Sequence, residues 1–193
     1  MAAAGFSPKR SRTEPDRAGV NDPGPGRRLA LDIGSVRIGV AVSDSQAHLA
    51  TPVETVRRVT QIGDPDSYDI DRICDLIADY EVVELVIGLP RDLRGNGSVS
   101  AQNAEDMGLR LKRALLREEN AARVSGQEPR PVAIRYADER LTTVVATRAL
   151  RSSGVTAKKG RAVVDQAAAV AILQDWLDER RAYLSRSGMA EGG

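Results

Sequence analysis

Cysteine, histidine and aromatic residues are scarce in this sequence, and each scarcity excludes a class of protein. Cys74 alone cannot form an intrachain disulfide, and a single histidine leaves no cluster with the spacing of a zinc site. Aromatic residues make up 3% of the chain, too few for the base-stacking surfaces of common RNA-binding modules. No apolar run approaches the ~20 residues of a membrane span. These absences predict a soluble protein without disulfides and without a membrane partner.

A dominant charge is missing as well, since 28 Lys and Arg residues face 27 Asp and Glu residues. Any nucleic-acid function would therefore depend on local basic patches, because the chain as a whole lacks the electrostatic footprint of a nucleic-acid binder. The first residues include arginines but no apolar stretch behind them, so the sequence does not predict a secretory signal. We expect a cytoplasmic protein.

The composition divides the chain into one domain and two tails. Residues 1–26 mix Pro, Gly, Arg and Asp without periodicity and predict a disordered N-terminal tail. Residues 185–193 predict a disordered C-terminal tail for the same reason. The segment between them, residues 27–184, is long enough to bury the core of a single domain.

Hydrophobic periodicity predicts alternating strands and helices within that domain. Predicted strands lie at about 29–34, 37–43 and 53–59, and in the segments "VVELVIGLP" and "VAIRY". Predicted helices lie at about 66–80, in "SAQNAEDMGLRLKRALL", and at about 143–152 and 161–183, with "REENAARVSGQEPRP" as a polar loop. The three early strands form an antiparallel meander, and Pro52 favours an edge position for the third.

This order of elements predicts an α/β fold with a mixed five-stranded sheet flanked by helices. The last two strands run parallel to the first because right-handed crossovers are strongly preferred. In such open sheets, sites form beyond the carboxyl ends of the parallel strands. Asp32 lies near the end of the first strand, and Asp138-Glu139 of "ADER" come just after the fifth.

Asp32 stands inside an apolar strand, where a carboxylate is unexpected. A single Asp near a strand end most often accepts N–H bonds from the following turn. Two further acids change this interpretation: Glu139 follows the fifth strand, and Asp165 begins the apolar face of the last helix. For Asp165, stabilisation by the helix dipole is the alternative. Because that face is rich in alanine, the helix can approach the sheet closely and bring Asp165 towards Asp32.

Three carboxylates from distant parts of the chain, without a Cys or His cluster, fit a hard cation with oxygen ligands. Mg²⁺ or Mn²⁺ is the natural choice, and the acids would otherwise repel one another. Two such ions about 4 Å apart support the in-line displacement of a phosphodiester. The sequence therefore predicts a two-metal site.

Basic residues occur in two candidate patches for phosphate binding. Arg91 and Arg94 lie in a Gly-rich loop before a helix, although "NG" in the same loop also fits an ordinary turn. Lys158, Lys159 and Arg161 precede Asp165, where a solvated loop is the alternative interpretation. Cys74 is interpreted as a core residue and His48 as a solvated one.

Four motifs in this order resemble the YqgF family of pre-16S rRNA nucleases, which are also described as Holliday junction resolvase-like proteins. The motifs are "LALDIGSVRIGVAVSD", "VIGLPRDLRGNGS", "ADERLTT" and "KKGRAVVDQAAAVAIL", and the resemblance spans about residues 28 to 180. It implies an RNase H-like fold and a cytoplasmic, metal-dependent nuclease that processes the 5′ end of precursor 16S rRNA in ribosome biogenesis. Asp32, Glu139 and Asp165 would be its catalytic metal ligands.

The pattern departs from that of the more distant junction resolvases. Those enzymes place acids at the end of the fourth strand and about one turn further along the last helix, where this chain has Gly88 and Ala168. Glu139 would then substitute from another strand. Asp138 is the alternative ligand, although its strand parity places it on the opposite face.

Three other functions compete with this interpretation. An ATPase of the actin and sugar-kinase class also carries a "DIGS"-like loop, but it needs a second lobe for which this chain is too short. A binding module associated with ribosomes or transcription would not need three converging acids. A junction resolvase would act as a dimer, with two sites related by two-fold symmetry. No helix face is left over for a dimer contact, so we expect a monomer.

Overall fold

A computed structural model describes residues 13–90, 99–138 and 158–188, without the side chains of residues 158–165. Its strands are β1 Arg27–Ile33, β2 Arg37–Ser43, β3 Ala50–Arg57, β4 Val82–Leu89 and β5 Ala133–Asp138. Its helices are α1 Tyr68–Asp79, α2 Val99–Val124 and α3 Lys158–Arg186. The predicted helix at 143–152 lies outside the described residues.

The five strands form one mixed sheet in the order β3-β2-β1-β4-β5. β1, β2 and β3 pair antiparallel, whereas β4 pairs parallel with β1 and β5 parallel with β4. The predicted meander and the two parallel additions are therefore confirmed. Pro52 lies in the edge strand β3, as predicted, beside a shift of register that follows Val40.

Helices cover both faces of the sheet with cores of different character. Leu, Ile and Val of β1, β2 and β4 pack beneath α1 and α2. On the other face, alanines of the sheet meet Ala168, Ala169 and Ile172 of α3. Small side chains on both partners let α3 approach the strands closely. We refer to the two sides of the sheet as the α1/α2 face and the α3 face.

Residues 13–26 correct the predicted N-terminal tail, because they pack against the domain. This segment, the N-terminal strap, follows the outer edge of β5: the amide of Asp16 donates to the carbonyl of Tyr136 at 2.8 Å, and the amide of Tyr136 donates to Asp16 Oδ2 at 2.8 Å. Ala18 is buried. Two partners of the strap, Tyr136 and Arg180, are 120 and 158 positions away along the chain, so composition alone could not reveal them.

Two helices are longer than predicted. α2 continues to Val124, through the first half of the segment predicted to be a polar loop. The residues "REENAAR" are good helix formers whose exposed side chains give no apolar periodicity. α3 ends at Arg186 and thus extends into the predicted C-terminal tail. Within the described parts of the chain, every helix is too short or too polar to span a bilayer.

Candidate active site

Asp32 lies near the carboxyl end of β1, on the α3 face of the sheet. It is 2% exposed. Alternation along the strand places it on the same side as Ala30, which packs in the alanine-rich core. Its cross-strand neighbour in β2 is Gly39, so no side chain stands directly opposite the carboxylate.

The turn after Asp32 depends on Gly34. Its amide donates to the carbonyl of Arg37 at 2.9 Å. A Cβ atom added to Gly34 would lie 2.7 Å from that same carbonyl oxygen, closer than real Cβ contacts occur. Glycine is therefore needed here for close backbone approach, and the turn fixes the direction in which β1 ends.

The sheet-facing side of α3 agrees with the prediction from its sequence. Ala168, Ala169, Ile172 and Trp176 are all buried, and they pack against the α3 face of the sheet. Asp165 is three and four residues before the two alanines, so its position belongs to the same helix face. Its side chain, like those of Lys158, Lys159 and Arg161, lies outside the described residues.

Strand parity separates Asp138 from Asp32. In β5, Ile134 and Tyr136 pack towards the α1/α2 core, whereas Ala137 packs towards α3. Asp138 has the parity of Tyr136 and so belongs to the face opposite Asp32. Glu139, Arg91 and Arg94 lie outside the described residues, and their proposed roles stay predictions.

The register of the meander reveals a basic pair that the sequence analysis missed. Arg37 of β2 and Arg57 of β3 are direct cross-strand partners. Two positions away along each strand, Gly39 and Thr55 are partners on the same face of the sheet. Arg37 and Arg57 therefore share with Asp32 both the α3 face and the end of the sheet. Like charges placed opposite each other are unfavourable in a strand pair unless an anion lies between them. Only the register brings the two arginines together, since 20 positions separate them in sequence.

Cys74 and His48 have the structural roles predicted for them. Cys74 is buried in the α1/α2 core, and burial raises the pKa of its thiol to about 12. His48 is exposed, and its amide donates to Asp44 Oδ1 at 2.6 Å. Neither residue belongs to the site around Asp32.

Metal binding at this site would rest on oxygen ligands. Among the described residues, no three side chains of Asp, Glu, His or Cys form a group that could hold an ion. Asp32 fits a hard cation by its chemistry, because it is a buried carboxylate opposite a glycine. The other two predicted ligands have side chains outside the described part.

The sequence is similar to a large set of known proteins. The family model named RuvX, described as Holliday junction resolvase, matches residues 26–179. A protein of Corynebacterium aurimucosum is 59% identical over 89% of this chain and 91% of its own length. One of Rhodococcus jostii is 54% identical over 86% and 85%. Both carry the name "Putative pre-16S rRNA nuclease".

One solved structure, Thermus thermophilus RuvC in complex with a Holliday junction substrate, is 15% identical to this chain. It aligns with a TM-score of 0.40 over 86% of this chain and 98% of the other, a likeness too low to bear on function.

The sheet topology and the buried acid at the end of β1 agree with the RNase H-like fold that the family resemblance implies. The chain belongs to the RuvX family, also called YqgF, and is a nuclease of that family.

Proposed function

We propose that this protein is a divalent-metal-dependent endonuclease that processes the 5′ end of precursor 16S rRNA. The observation that carries the proposal is the buried carboxylate of Asp32 at the end of β1, in a chain 59% identical to a relative named for pre-16S rRNA. Burying an ionised carboxylate is costly unless a cation or hydrogen bonds compensate for it. A buried acid at the carboxyl end of a strand suits a ligand of a hard cation.

Asp32, Glu139 and Asp165 would hold Mg²⁺ or Mn²⁺. When bound, two such ions supply charge stabilisation to the attacking and leaving oxygens of a phosphodiester. Asp32 is supplied by β1, and the position of Asp165 lies on the sheet-facing side of α3. Asp138 has the parity of Tyr136 and belongs to the face opposite Asp32, which favours Glu139 over Asp138 as the third ligand.

Basic side chains would hold the substrate backbone around these acids. Arg37 and Arg57 share the face and the sheet end of Asp32 and are suited to two oxygens of one phosphate or to neighbouring phosphates. Arg91, Arg94 and the cluster of Lys158, Lys159 and Arg161 would extend the contact. Contacts of this kind orient the scissile bond and do not depend on base sequence.

The alternative substrate is a four-way DNA junction, which the description of the family model favours. Resolution of a junction needs paired cuts by two symmetric sites, whereas trimming an rRNA end needs one. We propose that a cytoplasmic monomer acts on rRNA, in isolation or within ribosomal particles.

Cleavage of matched labelled substrates tests the proposal. The panel contains a precursor 16S 5′ segment, an unrelated single-stranded RNA and a four-way DNA junction, each with Mg²⁺, Mn²⁺ or EDTA at one salt concentration. We expect metal-dependent cleavage of the precursor, and loss of that cleavage in the triple variant Asp32→Asn, Glu139→Gln, Asp165→Asn. Symmetric nicking of the junction by a stable dimer that leaves the precursor intact would contradict the rRNA proposal.

A further inference from the structure

The segment directly after β3 is tied to three other elements at the end of the sheet that carries Asp32. The Asp69 carboxylate at the start of α1 is buried and accepts hydrogen bonds from the amides of Val59 and Thr60 at 3.0 and 2.9 Å. The amide of Arg58 donates to the carbonyl of Val36 at 2.9 Å. The backbone of residues 58–60 is therefore held between α1 and the turn that follows Asp32.

The side chain of Arg58 extends this connection to the turn itself and to α2. Arg58 is 4% exposed. Its Nη1 donates to the carbonyl of Gly34 at 3.0 Å, Nη2 donates to Asn103 Oδ1 at 3.1 Å, and Nε donates to the carbonyl of Thr60 at 3.2 Å. One guanidinium thus joins the Gly34 turn to the first turns of α2.

Burial of this cation needs a reason beyond packing. Burial lowers the pKa of Arg58, and the charges of Asp106 and Asp69 oppose that effect. A buried ion rarely stabilises a fold more than an apolar side chain of similar size does. An arginine buried in this place therefore indicates that the directions of its hydrogen bonds are required. The planar guanidinium provides that geometry, because its donors point in fixed directions that a lysine cannot reproduce.

Arg110 provides a comparison within the same protein. It is 5% exposed and also joins α2 to a loop, donating to the carbonyl of Asp64 and to Asp66 Oδ1, both at 2.8 Å. Its partners outside α2 lie between β3 and α1 and do not include the Gly34 turn. The two arginines therefore match in burial, and both join α2 to a neighbouring loop. They differ in that Arg110 pairs with the carboxylates of Asp66 and Asp106, whereas Arg58 bonds to neutral oxygens, one of them in the turn after Asp32.

We propose that Arg58 is a positioning residue for the nuclease site, since it fixes the Gly34 carbonyl, and with it the end of β1 that carries Asp32, relative to α2. The inference rests on the proposed function. Its mechanism is indirect, because Arg58 acts through the backbone of the turn and not through the substrate. A displacement of the turn would tilt Asp32 away from the other two acids, and errors of about 1 Å at a reacting centre are costly.

Matched substitutions test the proposal: Arg58→Lys and Arg110→Lys in the full chain. We expect both to lower the melting temperature by similar amounts, because each removes part of a buried bond set. Arg58→Lys should also lower kcat by about 10- to 100-fold with little change in KM, the range seen when a supporting partner of a metal ligand is lost. Arg110→Lys should keep kcat within about twofold of the wild-type value at temperatures where both are folded.

Asn103→Ala provides a milder variant if Arg58→Lys fails to fold. It removes one of the three acceptors and should lower kcat by a few-fold.

Two readouts do not depend on cleavage. Titration with Mn²⁺ alone should show about tenfold weaker binding in Arg58→Lys than in Arg110→Lys. Hydrogen exchange of the peptide spanning residues 33–38 should be faster in the Arg58 variant only, because the Gly34 amide bond to Arg37 is loosened.

Three outcomes separate the possibilities. Equal kcat, Mn²⁺ affinity and exchange in the two lysine variants would overturn the positioning role. A loss of kcat in both lysine variants would show that a general loss of stability, and not displacement of the Gly34 turn, limits activity. That result would also overturn the positioning role. If the wild-type protein cleaves no substrate, the proposed function fails, while Mn²⁺ titration and exchange still decide whether Arg58 fixes the turn.

Discussion

The two ends of β1 on the α3 face carry buried charges of opposite sign in opposite surroundings. At the amino end, Arg28 is fully buried and donates to Asp22 Oδ1 at 2.9 Å and to the carbonyls of Gly24 and Gly26 at 2.6 and 2.7 Å. Four residues later, at the carboxyl end, Asp32 faces Gly39 across the strand pair. We call these the closed end and the site end of the sheet.

Arg28, Asp22, Arg180 and Glu84 form one network of charges at the closed end. Arg180 of α3 donates to both carboxylate oxygens of Asp22 at 2.7 and 2.8 Å, and Trp176 donates to Glu84 Oε2 at 3.0 Å. Charges buried in this way hold elements in place. The site end places Gly39, alanines and the opposed Arg37 and Arg57 near its acid, surroundings that suit the metal ion and the phosphate proposed above. Burial of a charged side chain therefore does not by itself show whether the residue has a structural or a functional role. The groups around the charge make that distinction.

The largest effect should come from the acid of the site end. Asp32→Asn should lower metal-dependent cleavage by more than about 100-fold, because the residue proposed as a metal ligand loses its charge. Its melting temperature without metal should equal or exceed that of the wild type, since clustered negative charge is reduced. Cleavage assays beside thermal unfolding in EDTA measure both, and full activity in the variant would remove Asp32 from the mechanism.

The opposite pattern is expected at the closed end. Asp22→Ala should destabilise the protein by about 3 kcal/mol, because Arg28 and Arg180 remain buried after losing a shared partner. Activity per folded molecule should be unchanged. Urea unfolding and cleavage at low temperature check the two statements, with Asp178→Ala, an exposed acid of α3, as the control. Unaltered stability would show that the strap is not held by this network.

Gly34→Ala tests whether the turn after Asp32 is as tightly packed as its geometry indicates. The new methyl group would meet the Arg37 carbonyl, and accommodating it should cost about 2 kcal/mol. Cleavage should fall as well, because the backbone that carries Asp32 must shift. Gly63→Ala is a poor control because its φ of 94° is itself unfavourable for alanine. Ser35→Ala, in the same exposed turn, is the better one, and equal stability of the two variants would contradict the prediction.

The closed end should also show a pH dependence. Burial alone would raise the pKa of Asp22, but the hydrogen bonds and charges of Arg180 and Arg28 outweigh it and lower the pKa below its ordinary 3.8. The stability from ionised Asp22 is therefore present above pH 3.8 and is lost as the pH falls through the lower folded value. In urea titrations from pH 7 to 3, the stability difference between wild type and Asp22→Asn should narrow at the acid end. A constant difference would contradict this assignment.

The smallest effect should come from Arg57, which lies at the site end of the sheet. Arg57→Gln should weaken binding of single-stranded RNA by a few-fold at all sequences alike, and should reduce the slope of log K against log salt by about 0.7. Arg130→Gln provides a control, because it is an exposed arginine that pairs with Glu81 just before β4 begins. Binding in EDTA separates this contact from catalysis. An unchanged slope in Arg57→Gln would exclude a phosphate contact.

Local patterns were sufficient to predict most of the fold. Strand alternation in β1 and β2, the edge position of Pro52 and the buried stripe of α3 are all properties of neighbouring residues, and the structure confirms them. Asp32 was found because a charge interrupts an apolar strand. The network of Asp22 and Arg180 could not be found in that way, because its members lie 158 positions apart. For the same reason, the pairing of Arg37 with Arg57 needed the strand register.

The N-terminal strap has a consequence for how the protein is made. Asp16 and Asp22 are translated before their partners Tyr136 in β5 and Arg180 in α3, which follow 120 and 158 positions later. Contacts that join distant parts of a chain are slow to form, because a long loop must close first. Until α3 has been translated, Asp22 lacks its partner Arg180 and the α3 face of the sheet lacks its helix. Docking of the strap beside β1 is thereby coupled to the synthesis of α3.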